Sequence, residues 1–381
     1  MKRVIIVGAT GSIGTQALDV LRRHPDRFRA VALSAHRDEA GLLAAAALAA
    51  PGGGRAALPL CLSGSVPASG AIAYSGAAGL ERMIRETDAD IVLNAAAGSD
   101  GMGPSFAALD SGKHLALANK ETVVMAGRLV LGAARSRGLR VLPVDSEHSA
   151  IFNLVERFGR AAVRGLLITA SGGAFRDTPL GELEGKKAAD ALAHPTWNMG
   201  GKITVDSATM ANKGLEVIEA ARLFDFPPGD IRVVIHPESR VHSFIRTRDG
   251  SLYAQISLPD MRIPILNALS WPDPVDEDLA DLDPALHPMS FRDPEPGRYP
   301  LLDLAYGALA EGEGAACAYN AANEIAVAAF MADSLRFTGI AAVVARALER
   351  PWPALLDTRE AVLATDAEAR RIAQEIIQES A

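Results

Sequence analysis

RVIIVGATGSIG, residues 3–14, is a β-branched run that breaks into a glycine turn. Residues 3–7 are short and apolar throughout, which predicts a parallel strand buried on both faces. Gly8, Gly11 and Gly14 then recur at intervals of three. Residues 15–23 follow with Ala17, Leu18 and Leu21 at helical spacing. A spaced-glycine motif alone is a weak signal, but between a first strand and a first helix it marks a dinucleotide site. The glycines let the backbone approach a pyrophosphate, and the helix N-terminus supplies N–H groups and positive dipole. The plain alternative is a tight turn in another α/β fold.

A second strand is predicted at residues 29–34, ending where a dinucleotide's adenosine ribose would lie. An NAD site places an acid there to hold the 2′-hydroxyl. Here the chain reads Ser34-Ala35-His36-Arg37-Asp38. His36 and Arg37 suit a 2′-phosphate and so favour NADP, with Asp38 the one contrary residue. Further strands are predicted at residues 57–62, 90–94 and 113–117. The last runs into Asn119-Lys120-Glu121 and an apolar helix, with Asn119 as N-cap. Lys120 thus stands at a strand's carboxyl end, where open α/β sheets bind ligands.

A strand at residues 140–144 delivers Asp145-Ser146-Glu147-His148. On an extended chain Asp145 and Glu147 share a face. Two such carboxylates repel unless a cation lies between them, and they suit a hard divalent metal. Asp145 or Ser146 also fits as the cap of a following helix. Residues 165–170 form another strand, leading to Ser171-Gly172-Gly173, a loop able to cradle phosphate.

Residues 194–219, HPTWNMGGKITVDSATMANKGLEVIE, hold the densest functional set. Trp197 beside Gly200-Gly201 reads as a movable lid. Residues 202–205 read as a short strand, and residues 215–221 as a helix. Ser207, Asn212 and Lys213 near a helix start suit a phosphate. Strands are expected at residues 231–235 and 252–257, and a helix at 263–269. His236 and His242 fit no helical zinc spacing and read as structural. Residues 271–300 carry seven prolines and eight acids, the composition of a linker. Helices are expected at residues 40–50, 301–310, 316–332, 338–348 and 365–379, the last with Thr365 and Glu368 as a capping box.

The 381 residues suggest two or three domains at about 150 residues each. A net charge of −8 argues against nucleic acid or an anionic membrane as partner. Two cysteines, Cys61 and Cys317, are too few for a disulfide framework or a thiolate metal site, and a cytoplasmic location is expected. No run approaches the roughly 20 apolar residues of a membrane span.

The chain resembles the 1-deoxy-D-xylulose 5-phosphate reductoisomerase family. The family's GxTGSIG turn matches residues 8–14, ALANKE residues 116–121, VDSEHSAIF residues 144–152 and TASGG residues 169–173. AHPxWxMG and KITxDSATMxNKGLEVIEA match within residues 193–220, and IHPxSxVHS matches residues 235–243. DMRxPI, LSWP and NAANExAVAAF match residues 260–265, 269–272 and 320–330.

The resemblance implies a Rossmann-like α/β domain at residues 1–145 and an α+β catalytic domain at 146–270. A linker at 271–300 and a C-terminal helical bundle at 301–381 complete it. It implies NADPH-dependent rearrangement and reduction of 1-deoxy-D-xylulose 5-phosphate to 2-C-methyl-D-erythritol 4-phosphate, by a homodimer. Asp145, Glu147 and Glu216 would hold Mg²⁺, Mn²⁺ or Co²⁺, with Lys120 near the reacting oxygens. Ser171, Ser207, Asn212 and Lys213 would hold the phosphate, and Ser146 and His194 would touch the substrate. Thr10, Gly11, Ser12, Ile13, Asn119, Glu121 and Gly200 would contact the cofactor, and Trp197 and Met199 belong to the flap. Three positions depart from the common pattern: His36-Arg37-Asp38 replaces Gly-x-Asn, Gly201 replaces an arginine, and Ala174 replaces a proline. The competing readings are a metal-dependent NADP oxidoreductase acting on a sugar phosphate without rearrangement, and a non-catalytic dinucleotide sensor. A sensor has no use for three carboxylates, a lysine and a phosphate-binding set.

Overall fold

The structure, a computed structural model, describes residues 1–49, 58–64, 69–192, 200–276 and 279–380. It comprises two compact units. The first takes Met1–Thr122, Val130–Ser149 and Asp260–Asp278; the second takes Val123–Leu129, Ala150–Pro259 and Leu279–Ala381.

In chain order the first elements are β1 (Lys2–Val7), α1 (Ser12–Arg23), β2 (Phe28–Ala35), α2 (Glu39–Ala49), β3 (Leu60–Leu62) and β4 (Tyr74–Ser75). Then come α3 (Gly76–Glu86), β5 (Ile91–Asn94), α4 (Met102–Asp110), β6 (His114–Leu117), α5 (Lys120–Ser136) and β7 (Val141–Pro143). The strands form one parallel sheet in the order β4-β3-β2-β1-β5-β6-β7. Order reverses beside β1, so the crevice at the carboxyl ends of β1 and β5 is the topological switch point where such sheets bind ligands. Val4, Ile5 and Ile6 of β1 and Val92 and Leu93 of β5 are fully buried. Each such side chain contributes about 1.5–3 kcal/mol.

Arg3 and Asp90 tie the starts of β1 and β5 together. The Asp90 carboxylate accepts from the Arg3 backbone N–H and from Nη2, both at 2.7 Å. Later in the chain α10 (Arg262–Ser270) joins this unit and packs on α1, β6 and β7. Lys2 Nζ donates to its terminal carbonyls at Leu269 (3.0 Å), Ser270 (3.1 Å) and Trp271 (2.5 Å). A cation there answers the negative end of the helix dipole.

The second unit holds most of α6 (Ser146–Phe158), then β8 (Val163–Ala170), α7 (Ala188–Ala191), α8 (Gly201–Thr209), α9 (Ala211–Phe224), β9 (Ile231–Ile235), β10 (Val241–Thr247) and β11 (Leu252–Ile256). After the proline-rich stretch it ends in α11 (Pro300–Glu311), α12 (Glu313–Met331), α13 (Phe337–Leu348) and α14 (Arg359–Ser380). Its sheet runs β11-β10-β8-β9, with only β8 and β9 parallel. The C-terminal helices share one core with the central stretch: Val205, Ala208, Leu215 and Ile218 pack with Tyr319, Ala322, Phe330 and Val344. α5 breaks at Ala126 (φ −132°, ψ 24°). Arg222 of α9 donates to the carbonyls of Val123 and Val124 there, and its Cδ would lie 2.7 Å from a Cβ on Gly127. Burial lowers the pKa of this guanidinium to about 10.

Several sequence expectations are corrected. Residues 202–205 are helical, inside α8. Residues 204–209 are all buried, so the β-branched run signals a core position and not a strand. The last helix starts at Arg359, with Thr358 Oγ1 accepting from the Ala361 N–H at 3.1 Å, so Thr365 lies inside it and caps nothing. The helices α3 and α4 and the strands β4 and β10 were not among the sequence expectations, although Leu80, Met83 and Ile84 stand at helical spacing in α3.

The Arg3 guanidinium bonds Asp90 and lowers its carboxyl from 3.8 to about 2. This contribution to stability is whole above the unfolded value and vanishes as pH falls through the folded one. Asp90→Asn should therefore unfold at lower urea than the parent chain at neutral pH. The gap should narrow between about pH 4 and pH 2; a constant gap across that window would rule this linkage out.

Candidate active site

At the switch point the backbone is drawn tight. Gly8 has φ +83°, and its N–H donates to the Ser34 carbonyl at 3.1 Å. A Cβ on Gly14 would lie 2.2 Å from the Gly8 carbonyl oxygen, so the turn requires glycine there. Gly11 precedes α1 in extended conformation, and Thr10, Gly11, Ser12 and Ile13 remain accessible around the helix N-terminus. Beyond β2, His36 and Arg37 are exposed. Asp38 caps α2, its Oδ1 accepting from the Gly41 N–H at 2.8 Å. That gives the contrary residue a structural role of its own. His36 Nδ1 lies 3.3 Å from Ser63 Oγ at the end of β3.

The expected cap at Asn119 is present. Its Oδ1 accepts from the Thr122 N–H at 3.1 Å, while Nδ2 donates to Ala96 O (2.9 Å), Gly98 O (2.8 Å) and Glu121 Oε2 (2.9 Å). Asn119 and Glu121 are thus locked to the loop after β5. Lys120 is buried and its Nζ lies 2.5 Å from Asp145 Oδ2. Asp145 is the first-turn acceptor of α6, its carbonyl taking the Ser149 N–H at 2.8 Å. The strand has therefore ended before Asp145, and the shared-face argument from an extended chain does not apply. The helical turn instead brings Asp145 and Glu147 oxygens within 4.8 Å of each other. Ser146 Oγ donates to Glu147 Oε2 at 2.7 Å.

In the second unit the Ser171 loop is held against α8. Gly172 and Gly173 have φ +83° and +71°. A Cβ on Gly173 would stand 2.3 Å from the Ser207 carbonyl oxygen and 2.6 Å from Ala208 Cα. Ser171 Oγ accepts from the Gly173 N–H at 3.2 Å, and Tyr299 Oη donates to the Gly172 carbonyl at 3.0 Å. Tyr299 had no signal in the sequence, since it closes a proline-rich stretch. Met210 (φ 61°) separates α8 from α9, whose first turns carry Asn212, Lys213 and Glu216. Glu216 is 1% exposed; it accepts from Asn212 Nδ2 at 2.5 Å and pairs with Lys213 Nζ.

Gly200 immediately precedes α8, and its carbonyl accepts from Thr204 Oγ1 at 2.9 Å. His194, Trp197 and Met199 lie outside the described residues. His236 proves structural: Nε2 accepts the N–H groups of Arg240 and Val241 at 3.0 and 3.1 Å, so Nδ1–H donates to Ser290 O at 2.8 Å. Its ring also stacks on Phe291 at 4.6 Å.

The 1-deoxy-D-xylulose 5-phosphate reductoisomerase family model matches residues 4–127, and its C-terminal-domain models match residues 141–224 and 256–372. The reductoisomerase of Methylococcus capsulatus is 45% identical over 389 residues, covering 99% of both chains. That of Cupriavidus metallidurans is 46% identical over 387 residues, covering 98% of both. The chain belongs to the 1-deoxy-D-xylulose 5-phosphate reductoisomerase family. A reductoisomerase structure in complex with NADPH, fosmidomycin and magnesium superposes with TM-score 0.89 at 36% identity, covering 99% of this chain and 98% of that one. The Zymomonas mobilis reductoisomerase in complex with NADPH gives 0.88 at 39%, covering 99% of both. Two of the departures from the reductoisomerase pattern have local accounts. Asp38 serves as a helix cap, and Ala174 packs against the helical core.

Gly173→Ala tests the loop. Strain at positive φ and the clash with α8 should destabilise the fold by about 1–3 kcal/mol. The KM for the phosphorylated substrate should rise about tenfold or more while the KM for NADPH stays put. Equal rises in both would mean that the loop serves folding alone.

Proposed function

We infer that this chain is an NADPH-dependent 1-deoxy-D-xylulose 5-phosphate reductoisomerase. It converts 1-deoxy-D-xylulose 5-phosphate, NADPH and a proton to 2-C-methyl-D-erythritol 4-phosphate and NADP⁺, in the non-mevalonate route to isoprenoids. The carrying observation is a family relationship at 45% identity over 99% of the chain. A skeletal rearrangement yields an aldehyde, which is then reduced.

Residues 1–145 serve the dinucleotide and residues 146–270 the substrate, with residues 301–381 supporting them. Thr10, Gly11, Ser12 and Ile13 present the turn and helix N-terminus to the pyrophosphate. Asn119, Glu121 and Gly200 contact the cofactor, and His36 and Arg37 read its 2′-phosphate. Bound NADPH supplies the hydride. Asp145, Glu147 and Glu216 hold the divalent metal. A set of three carboxylates fits a hard cation such as Mg²⁺, Mn²⁺ or Co²⁺. The bound metal supplies Lewis acidity toward the substrate's carbonyl and hydroxyl oxygens.

Lys120 directs its ammonium, already steered by Asp145, at the reacting oxygens and moves a proton there. Ser171, Ser207, Asn212 and Lys213 grip the phosphate, so the substrate is held at both ends and its reacting bond is oriented. Ser146 and His194 complete the contacts. Trp197 and Met199 close over the ligand and exclude water.

The enzyme works in the cytoplasm as a homodimer. No helix among the described residues is long and apolar enough to cross a membrane. The edge strand β11 exposes Leu252 and Ile256 on one face, and this open apolar edge supports pairing with a second copy.

Product analysis with deoxyxylulose phosphate, NADPH and Mg²⁺ should give a branched polyol phosphate. An unbranched alcohol would establish simple carbonyl reduction instead. Glu216→Gln, nearly isosteric and one charge fewer, should cut turnover by about two orders of magnitude or more and raise the Mg²⁺ needed for half-activity. NADPH binding should be preserved, and an unchanged Mg²⁺ titration would remove Glu216 from the metal set. Arg37→Ala should weaken NADPH by about tenfold and NADH hardly at all; equal weakening would deny Arg37 the 2′-phosphate.

A further inference from the structure

α8 carries an acid where its packing suits an apolar residue. Asp206 is 1% exposed, and its neighbours Val205 and Ala208 belong to the helical core. The carboxylate accepts from Lys202 Nζ at 2.7 Å, one turn earlier on α8, and from Asn323 Nδ2 at 2.8 Å on α12. Asn323 is fully buried. Its amide has one sensible orientation, since the flipped form would set two oxygens against each other.

Helix stability does not account for this cluster. Lys202 lies in the first turn of α8, where a positive charge opposes the dipole. The pair also runs lysine before acid, the less favourable order at this spacing. Core packing does not account for it either, because an apolar residue of similar volume fills such a site without desolvating a carboxylate. What the acid adds is direction. A charge-assisted hydrogen bond fixes how α8 is rotated toward α12, which apolar contacts leave loosely specified.

That rotation matters one residue later. Ser207 follows Asp206, and its carbonyl, with Ala208 Cα, is the surface against which Gly173 is seated. Ser207 Oγ donates to Ile203 O at 3.0 Å and stays on the same helix. We propose that Asp206 and Asn323 are positioning residues for the phosphate cradle, clamping α8 to α12 so that Ser207 meets the Ser171 loop at a fixed distance. The proposal rests on the assignment of Ser171 and Ser207 to the substrate phosphate.

Steady-state kinetics of full-length variants test it, with thermal melts as the fold control. Asn323→Leu, which keeps the number of side-chain heavy atoms and removes the donor, should raise the KM for deoxyxylulose phosphate about tenfold and leave the KM for NADPH within about twofold. Asn323→Ser, too short to reach Asp206, should do the same and carries the test should the leucine variant fail to fold. The exchange Asp206→Asn with Asn323→Asp restores a donor and an acceptor in reversed order, and should return the substrate KM most of the way. Unchanged substrate KM in the folded variants, or an equal rise for substrate and NADPH with a lowered melting point, would reduce the clamp to ordinary packing. Ser207→Ala separates the two levels. If it leaves the substrate KM unchanged, the cradle assignment falls and the clamp with it. If it raises that KM while the Asn323 variants do not, the clamp alone falls.

Discussion

Lys213 and Glu216 are one turn apart on α9, and both are nearly excluded from water. Burying either charge alone would cost several kcal/mol. Their pairing, with Asn212 as a further donor, makes that stretch of helix tenable. α9 begins just before this pair, where Met210 adopts a left-handed conformation between α8 and α9. The first unit obeys the same constraint with Lys120 and Asp145, which come from different elements and meet after two strands of the parallel sheet. In each unit the buried charge gathers where helices start, which is also where the residues proposed for ligand contact stand.

Much of the first unit was legible because its geometry is local. The β1 turn needs glycine at positions 8 and 14 for reasons of a few bonds' range, and a reader of residues 3–14 meets the whole argument there. Asn119 as a cap was legible for the same reason. Residues 202–205 were not, because a β-branched run looks alike in a strand and in a helix submerged in a core. Asp38 was ambiguous on paper, and its capping bond to the Gly41 N–H at 2.8 Å emerged only in the structure. Asp206 and Asn323 are 117 residues apart, and no spacing rule connects them.

The candidate site divides in the same way. Its residue types were readable one by one, since carboxylates, a lysine and serines beside glycines each have a chemistry. What sequence could not supply was the backbone contact that sets Gly173 against Ser207, because it depends on a missing Cβ at Gly173. Nor did it anticipate Tyr299, which reaches the Gly172 carbonyl from the end of an irregular stretch. Glycine at both places serves proximity, so the loop's shape is defined as much by absent atoms as by present ones.

The return of α10 to the first unit bears on how the chain is made. Lys2 is synthesised well before α10, yet three of its acceptors are the carbonyls of Leu269, Ser270 and Trp271. The segment Ala150–Pro259, which belongs to the other unit, must be translated in between. At about 5–20 residues per second, β7 waits roughly 6–24 seconds for α10, and β6 and α1 longer still. Vectorial synthesis therefore cannot complete the first unit before Ala150–Pro259 of the second has been made.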